Sequence, residues 1–160
     1  MKTEPICRDA DGNELIALEP LTEVELSGHP LLTHCLAVVK VGNDYLLGWN
    51  KWRRRYEIFG GCVEKGESPR DCIIRECREE LGLEGGELRY LGAMKLFLVP
   101  DYFSKTERIE YGGLYAVTLP DMGVLHGTQD KEEIARLAFY SEIKGKEPVA
   151  PIDEALLAFH

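Results

Sequence analysis

The chain has 160 residues, 44% of them apolar and 29% charged, enough for one soluble domain with its own hydrophobic core. Asp and Glu outnumber Lys and Arg by 28 to 19, and the resulting charge of −9 argues against a broad nucleic-acid surface. No apolar run approaches membrane-span length, and the N-terminal MKTEPICRDADGNE has no apolar core of the kind a signal peptide needs. Cys7, Cys35, Cys62, Cys72 and Cys77 are odd in number and form no CxxC, so a reducing cytoplasm is expected rather than a disulfide scaffold. None of His29, His34, His126 or His160 pairs with a cysteine at zinc-finger spacing.

In chain order, Asp9 to Asn13 (DADGN) reads as a turn. It separates short extended pieces, with strands expected at Leu15–Leu18 and Val24–Leu26. Ser27-Gly28-His29-Pro30 breaks the pattern. Leu31 to Val41, rich in Val and Leu, reads as a central strand; Gly42-Asn43-Asp44 turns it and Tyr45 to Trp49 returns. Lys51 to Tyr56 (KWRRRY) is the one concentrated basic run. It reads either as a solvated loop or as a phosphate-contacting segment whose aromatics, Trp52 and Tyr56, stack on a base. In an extended segment only Arg53 and Arg55 of the three arginines would face the same side.

A glycine loop at Gly60, Gly61 and Gly66 leads into a helix. Ser68 is a suitable N-cap, Pro69 suits the first helical position, Asp71 complements the helix dipole, and Gly82 is the expected left-handed stop. Ile73, Ile74, Cys77 and Leu81 share an arc of roughly 100° that should face a core. Glu76, Glu79 and Glu80, spaced i, i+3, i+4, share a neighbouring face. Three adjacent carboxylates repel one another. They are either a solvated acidic surface with Arg75 and Arg78 as partners, or ligands for a hard divalent cation.

Beyond the helix, Glu87 to Val99 is long and extended, Pro100 to Lys105 a connection, and Glu110 to Leu119 another strand. Pro120 to Asp130 is a loop carrying His126. Ile134 to Tyr140 alternates like a strand but contains helix formers. Pro151 opens a last amphipathic helix ending at Phe159. Strands interleaved with two helices make an α/β domain spanning 1–160, with the N-terminal 30 or so residues as a small β extension.

The full spacing is Gly61-x5-Glu67-x7-Arg75-Glu76-Cys77-x-Glu79-Glu80-x-Gly82-Leu83. It resembles the signature of the Nudix hydrolases (MutT-like), G-x5-E-x7-R-E-U-x-E-E-x-G-U with U bulky and apolar. Seven fixed residues agree, and Cys77 stands where Ile, Leu or Val is usual; Cys packs as a small hydrophobe. The resemblance implies an α/β/α sandwich around a mixed β-sheet, with the signature helix on one face and Ile134–Tyr140 as a strand. It implies Mg²⁺ or Mn²⁺ held by Glu76, Glu79, Glu80 and the Gly60 carbonyl, and hydrolysis of a diphosphate bond. Glu76 is the first candidate for general base, with Glu107, Glu110, Glu132 and Glu133 in later loops as alternatives. Glu67 and Arg75 would pair and fix the loop on the helix.

Many members carry Trp and then Pro-Gly-Gly where this chain has Tyr56 and Phe59-Gly60-Gly61; Phe59 is expected to line the pocket, and Arg53 and Arg55 to bind substrate. The partner implied is a small-molecule nucleoside diphosphate derivative, with no nucleic acid, no membrane and room for a homodimer. ADP-ribose hydrolases of the family tend to have a proline about sixteen residues past the signature, and Pro100 stands seventeen past Leu83; the resemblance thus favours ADP-ribose, or else a nucleotide sugar. Dinucleoside polyphosphates and damaged nucleoside triphosphates stay open, as does a domain that binds without turnover. An isopentenyl-diphosphate isomerase, which shares the fold, would need an altered signature.

Overall fold

The computed structural model describes residues 4–84, 87–126 and 134–160. Among these residues nine strands form one sheet: β1 (Cys7–Arg8), β2 (Glu14–Glu19), β3 (Leu32–Val41), β4 (Asp44–Asn50), β5 (Arg55–Glu57), β6 (Phe59–Cys62), β7 (Arg89–Leu98), β8 (Arg108–Leu119) and β9 (Ile134–Phe139). The order is β1-β2-β7-β8-β3-β4-β5, with β6 added to β3 and β9 to β4. β3 and β8 run parallel over nearly their whole lengths while the other pairings are antiparallel, so the sheet is mixed. β3 is shared lengthwise. Its first half pairs with β6, from His34↔Cys62 to Ala37↔Phe59, and its end pairs with β4.

Alternation along β3 sorts the core. Cys35, Ala37, Val39 and Val41 face one layer and Val38 the other. On the first face lies α2 (Pro69–Leu81), which buries Cys72, Ile73, Cys77 and Leu81 against Phe59, Tyr115 and Val117. On the second, Ile143 of α3 (Tyr140–Ile143) and Leu156 of α4 (Pro151–Leu156) pack on Leu47, Met94 and Leu114. The sheet thus lies between helical layers, the α/β/α sandwich expected. None of the helices among the described residues is long and apolar enough to cross a membrane.

The central strands, the 134–139 strand and the closing helix fall where expected. One element differs. Val24–Leu26 is not a strand but part of α1 (Glu23–Ser27), started by a capping box in which Thr22 and Glu25 exchange side-chain-to-backbone hydrogen bonds. The T-x-x-E spacing is legible in the sequence and outweighs the β propensity of one valine. Arg70 on α2 holds α1 through Glu23, at 2.9 and 2.7 Å.

α2 is bounded as its sequence dictates. Ser68 accepts from Asp71 N, Asp71 accepts from Ser68 N, and Gly82 ends the helix with φ 64°. Its buried face is wider than expected and rotated. Ile74 is 39% exposed and Cys72 takes its place inside. At about 100° per residue, the arc from Cys72 to Leu81 spans about 180°, and Glu80 stands near its middle.

The loop ahead of α2 must approach the sheet closely. Gly60 has φ 148°, and a Cβ there would lie 2.8 Å from Leu36 Cα. Gly66, with φ 86°, has nothing within 4 Å of such an atom. Gly60→Ala should therefore melt far below the parent or fail to fold, while Gly66→Ala should cost only the left-handed strain of roughly 1–2 kcal/mol. Thermal denaturation of the two variants side by side checks this; equal melting temperatures would refute the steric account.

Candidate active site

Glu80 is only 2% exposed although it is a carboxylate on a core-facing arc. Burial at such a position demands a donor. Gly60 N supplies one, donating to Glu80 Oε1 at 2.7 Å. Next to it, Gly61 leaves room for a second carboxylate: a Cβ there would lie 2.6 Å from Glu76 Cδ. Gly61 is thus glycine because the Glu76 side chain occupies the space where its own would be.

Arg75 ties the remaining acids together. Its guanidinium donates to Glu67 through two nitrogens (2.7 and 3.0 Å), to Glu76 Oε1 (2.8 Å), to Glu79 Oε2 (3.3 Å) and to the Cys62 carbonyl (3.0 Å). Glu67 also accepts from Glu64 N at 2.8 Å, so one arginine joins the loop to the helix. Hydrogen bonding to Arg75 holds the Glu67 carboxyl below its ordinary range, and Glu67 in turn raises Arg75. Cys77 lies inside the helix interface, where burial first, then Glu80 and Glu76, push its thiol up to about 12. It is a packing residue, not a nucleophile.

Glu76, Glu80, Gly60 and Gly61 form one wall of a cavity of about 930 Å³. Arg53 and Arg55 line it as well, and Arg54 does not. The basic loop owes its shape to Asn50, which is fully buried; its Oδ1 accepts from Trp52 N at 3.0 Å and Arg53 N at 2.9 Å. Both cavity-facing arginines grip Glu57: Arg53 by two bonds (2.8 and 2.9 Å), Arg55 by one (2.9 Å). Burial raises the Glu57 carboxyl, but the two guanidiniums outweigh burial and its pKa ends below the usual value. Across from it Asp153, at the start of α4, accepts from Ile58 N at 2.9 Å. Burial, then the Glu57 charge, raise Asp153 to about 7. On the far side, Arg108 binds Glu110 (2.6 Å) and Asp101 (3.0 Å), and Thr33 donates to Glu110 at 2.5 Å. Burial lowers the pKa of the neighbouring His34.

Not every expected residue arrives here. Glu79 does not line the cavity; its side chain is 45% exposed and held by Arg75. Phe59 is fully buried on the α2 side, opposite Ala37, because alternation along β6 places it on the same face as Gly61. Tyr56 is also a core residue, 5.0 Å edge-on from Trp49, so it cannot stack on a ligand. Glu107 is exposed and away from the cavity, whereas Glu110 lines it. Glu132 and Glu133 lie outside the described residues. Two acids that the sequence reading passed over, Glu57 and Asp153, are cavity residues. A charge inside the otherwise uncharged run from Tyr56 to Phe59 was the available sign of the first; nothing local marks the second.

Among the described residues, six carboxylic acids line the cavity against three arginines. Among the described residues no three acidic, His or Cys side chains converge as a ready cation cage. The donor chemistry nevertheless suits a hard divalent cation: Glu76 and Glu80 are carboxylates on one wall beside the Gly60 backbone, with Glu79 on the same helix.

The family model for the NUDIX domain matches residues 33–157. A curated relative, the NAD-capped RNA hydrolase NudC of Pseudomonas aeruginosa, is 47% identical over 38 residues, 24% of this chain and 14% of the relative. The match thus spans about a seventh of that longer protein. Among solved structures, the Bacillus subtilis pyrophosphohydrolase BsRppH aligns with TM-score 0.60 and 18% identity over 91% of this chain and 85% of that one. The NUDIX domain of Shewanella oneidensis NrtR complexed with ADP ribose aligns with TM-score 0.62 and 15% identity over 86% and 96%. At these identities the structural likeness is one of fold.

Removing the Arg75 fork should leave clustered carboxylates without their shared partner. Arg75→Ala should lose on the order of 2–3 kcal/mol of stability, and Arg75→Lys should recover under half of it, since an ammonium cannot bridge acceptors in a planar fork. Chemical denaturation measures both; a fully stable alanine variant would overturn the organising role. A second expectation concerns pH. The unfolded Asp153 ionises near 3.8 and the folded one near 7, so the native state resists ionisation and loses stability as pH rises between these values. Asp153→Asn should therefore gain stability over the parent on going from pH 4 to pH 8, by up to roughly 4 kcal/mol. Parallel denaturation curves at the two pH values decide it.

Proposed function

The chain belongs to the NUDIX family, and on that premise we propose that it is a divalent-cation-dependent pyrophosphohydrolase cleaving the diphosphate link of a nucleoside diphosphate joined to another group. The observation that carries this reading is the cavity wall itself: Glu76 and Glu80, set on one helix and pressed against the Gly60–Gly61 backbone, face the same space as Arg53, Arg55 and Arg108. Carboxylates in excess would repel a diphosphate unless a cation completes them. Mg²⁺ or Mn²⁺ held by Glu76, Glu79, Glu80 and the Gly60 carbonyl would neutralise the phosphate oxygens and acidify the attacking water.

The chain's own groups do the rest. Glu80 is oriented by Gly60 N and Glu76 by Arg75, so both carboxylates are held before substrate arrives. Glu76 takes the proton from the attacking water; Glu110, engaged by Thr33 and Arg108, is the alternative base. Arg53 and Arg55 offer planar donors to the phosphates, with Glu57 setting their direction. ADP-ribose or a nucleotide sugar is a fitting substrate; the ADP ribose complex of the fold relative NrtR supports that class. The free thiols of all five cysteines are compatible with the cytoplasm.

The test is hydrolysis of a nucleotide panel with and without EDTA, together with melting curves. Glu76→Gln should lower kcat by roughly 10²- to 10⁴-fold with little change in melting temperature. Millimolar Mg²⁺ or Mn²⁺ should raise the melting temperature of the parent, since a ligand of the native state must stabilise it, and should do so less for Glu80→Gln. Binding without turnover would make this a sensing domain; a melting curve indifferent to both cations would remove the metal site.

A further inference from the structure

Exposed aromatic rings on a soluble protein are ordinarily scattered. Here they are not. Among the described residues only three aromatic side chains rank as exposed, Trp52 at 66%, Tyr102 at 97% and Phe103 at 78%, and all three line the cavity described above. They stand on two separate loops. Trp52 lies between β4 and β5, and Tyr102 and Phe103 lie between β7 and β8. β8 runs parallel to β3 while β4 runs antiparallel to it, so both loops emerge at the end of the sheet where β3 begins.

Each loop is built to present its ring. The Trp52 loop hangs on the buried Asn50 side chain. The other loop is closed by Asp101, whose Oδ1 accepts from Phe103 N (2.8 Å) and Ser104 N (3.1 Å) and whose Oδ2 binds Arg108 (3.0 Å). Tyr102 and Phe103 meet edge to face at 5.6 Å and 87°, forming a corner of apolar surface. The loops are separated by about three strand spacings, ~14 Å at ~4.8 Å each. Stacked ring centroids sit only about 4.5–7 Å apart, so a single ring bridging both platforms would be stretched to the limit at each. The three arginines and the carboxylate wall line the same cavity.

We infer that the cavity is a two-ended clamp, with Trp52 taking one flat ring and the Tyr102–Phe103 corner taking another, so that the favoured substrate class is a pyrophosphate carrying a nucleobase-like ring at each end. This rests on the pyrophosphohydrolase reading and, among nucleoside diphosphate derivatives, sets a dinucleotide above the ADP-ribose or nucleotide sugar that also fits that reading. The volume of about 930 Å³ lies at the large end of small-molecule sites, as two nucleotide halves require. Stacking does not discriminate among bases, so the preference is for a second ring rather than for its identity.

The experiment uses NAD⁺ and ADP-ribose, which share one nucleotide half and differ in the second ring. Equilibrium binding of both is measured to the full chain carrying Glu76→Gln, with Mg²⁺ present. NAD⁺ should bind roughly 5- to 100-fold more tightly, the range that one stacked base contributes. In that background one platform substitution, either Trp52→Ala or the double Tyr102→Ala, Phe103→Ala, should abolish the advantage of NAD⁺, and the other should weaken both ligands. Trp52→Phe should restore most of the lost affinity. Because the rings are exposed, melting temperatures should not move. Equal affinity for the two ligands, binding of neither, or a platform substitution that changes neither constant overturns the clamp. Hydrolysis of the same two compounds by the parent is read separately. Loss of turnover with the NAD⁺ advantage intact would refute the reaction and leave the clamp standing; turnover with no advantage would do the reverse.

Discussion

A carboxylate in the middle of a core-facing helical arc is the constraint from which the architecture of this site follows. Glu80 cannot be buried there without a donor, and the donor it has is the Gly60 amide at 2.7 Å. That bond draws the loop onto β3, where there is no space for a Cβ at Gly60. The loop then brings Gly61 against the Glu76 carboxylate, and Arg75 closes the arrangement by joining Glu67, Glu76, Glu79 and the Cys62 carbonyl. Helix, loop and strand are therefore held by polar contacts that each need the others. Removing one donor strands several acceptors, which is why such networks resist piecemeal change.

The charge layout follows a single pattern. Arginines and acids are cross-linked rather than paired one to one: Arg75 serves several acids and Arg108 both Glu110 and Asp101, while Arg53 and Arg55 converge on Glu57. Guanidinium is suited to this because its donors are planar and fixed. The cations thus stiffen the cavity, but they do not cancel its acidity. Asp153 records the imbalance, since burial and the adjacent Glu57 keep its proton on up to about pH 7. An acidic, preorganised cavity is a poor host for a diphosphate alone and a good one for a diphosphate arriving with a divalent cation.

Much of this was legible in the chain. Ser68, Pro69, Asp71 and Gly82 determine where the signature helix starts and stops, since caps act through the nearest backbone groups. The alternation of β3 and the spacing from Gly61 to Leu83 determine the sheet's centre and the family. Local reading failed where a choice depended on a distant partner. Propensity draws Val24 toward a strand, but the Thr22–Glu25 cap and the anchorage of Glu23 to Arg70 make a helix. Periodicity puts Ile74 in the core, yet it is exposed, because the helix's rotation about its axis is set by what β3 and β6 present to it, not by the helix.

The same division holds at the site. The spacing alone determined that Glu76, Glu79 and Glu80 would sit together, because i, i+3, i+4 neighbours must share a helix face. Only the tertiary structure decided which of them look into the cavity. Pairing of β6 with β3 sends Phe59 into the core and exposes the Gly60 backbone; the Arg75 fork draws Glu79 aside. Asp153 reaches Glu57 from 96 residues away because α4 packs on the far face of the sheet. The rings of Trp52, Tyr102 and Phe103 meet one space because a parallel β3–β8 pair brings two loops, 50 residues apart in the chain, to the same end of the sheet. Such neighbours are set by topology, and no local pattern of side chains encodes them.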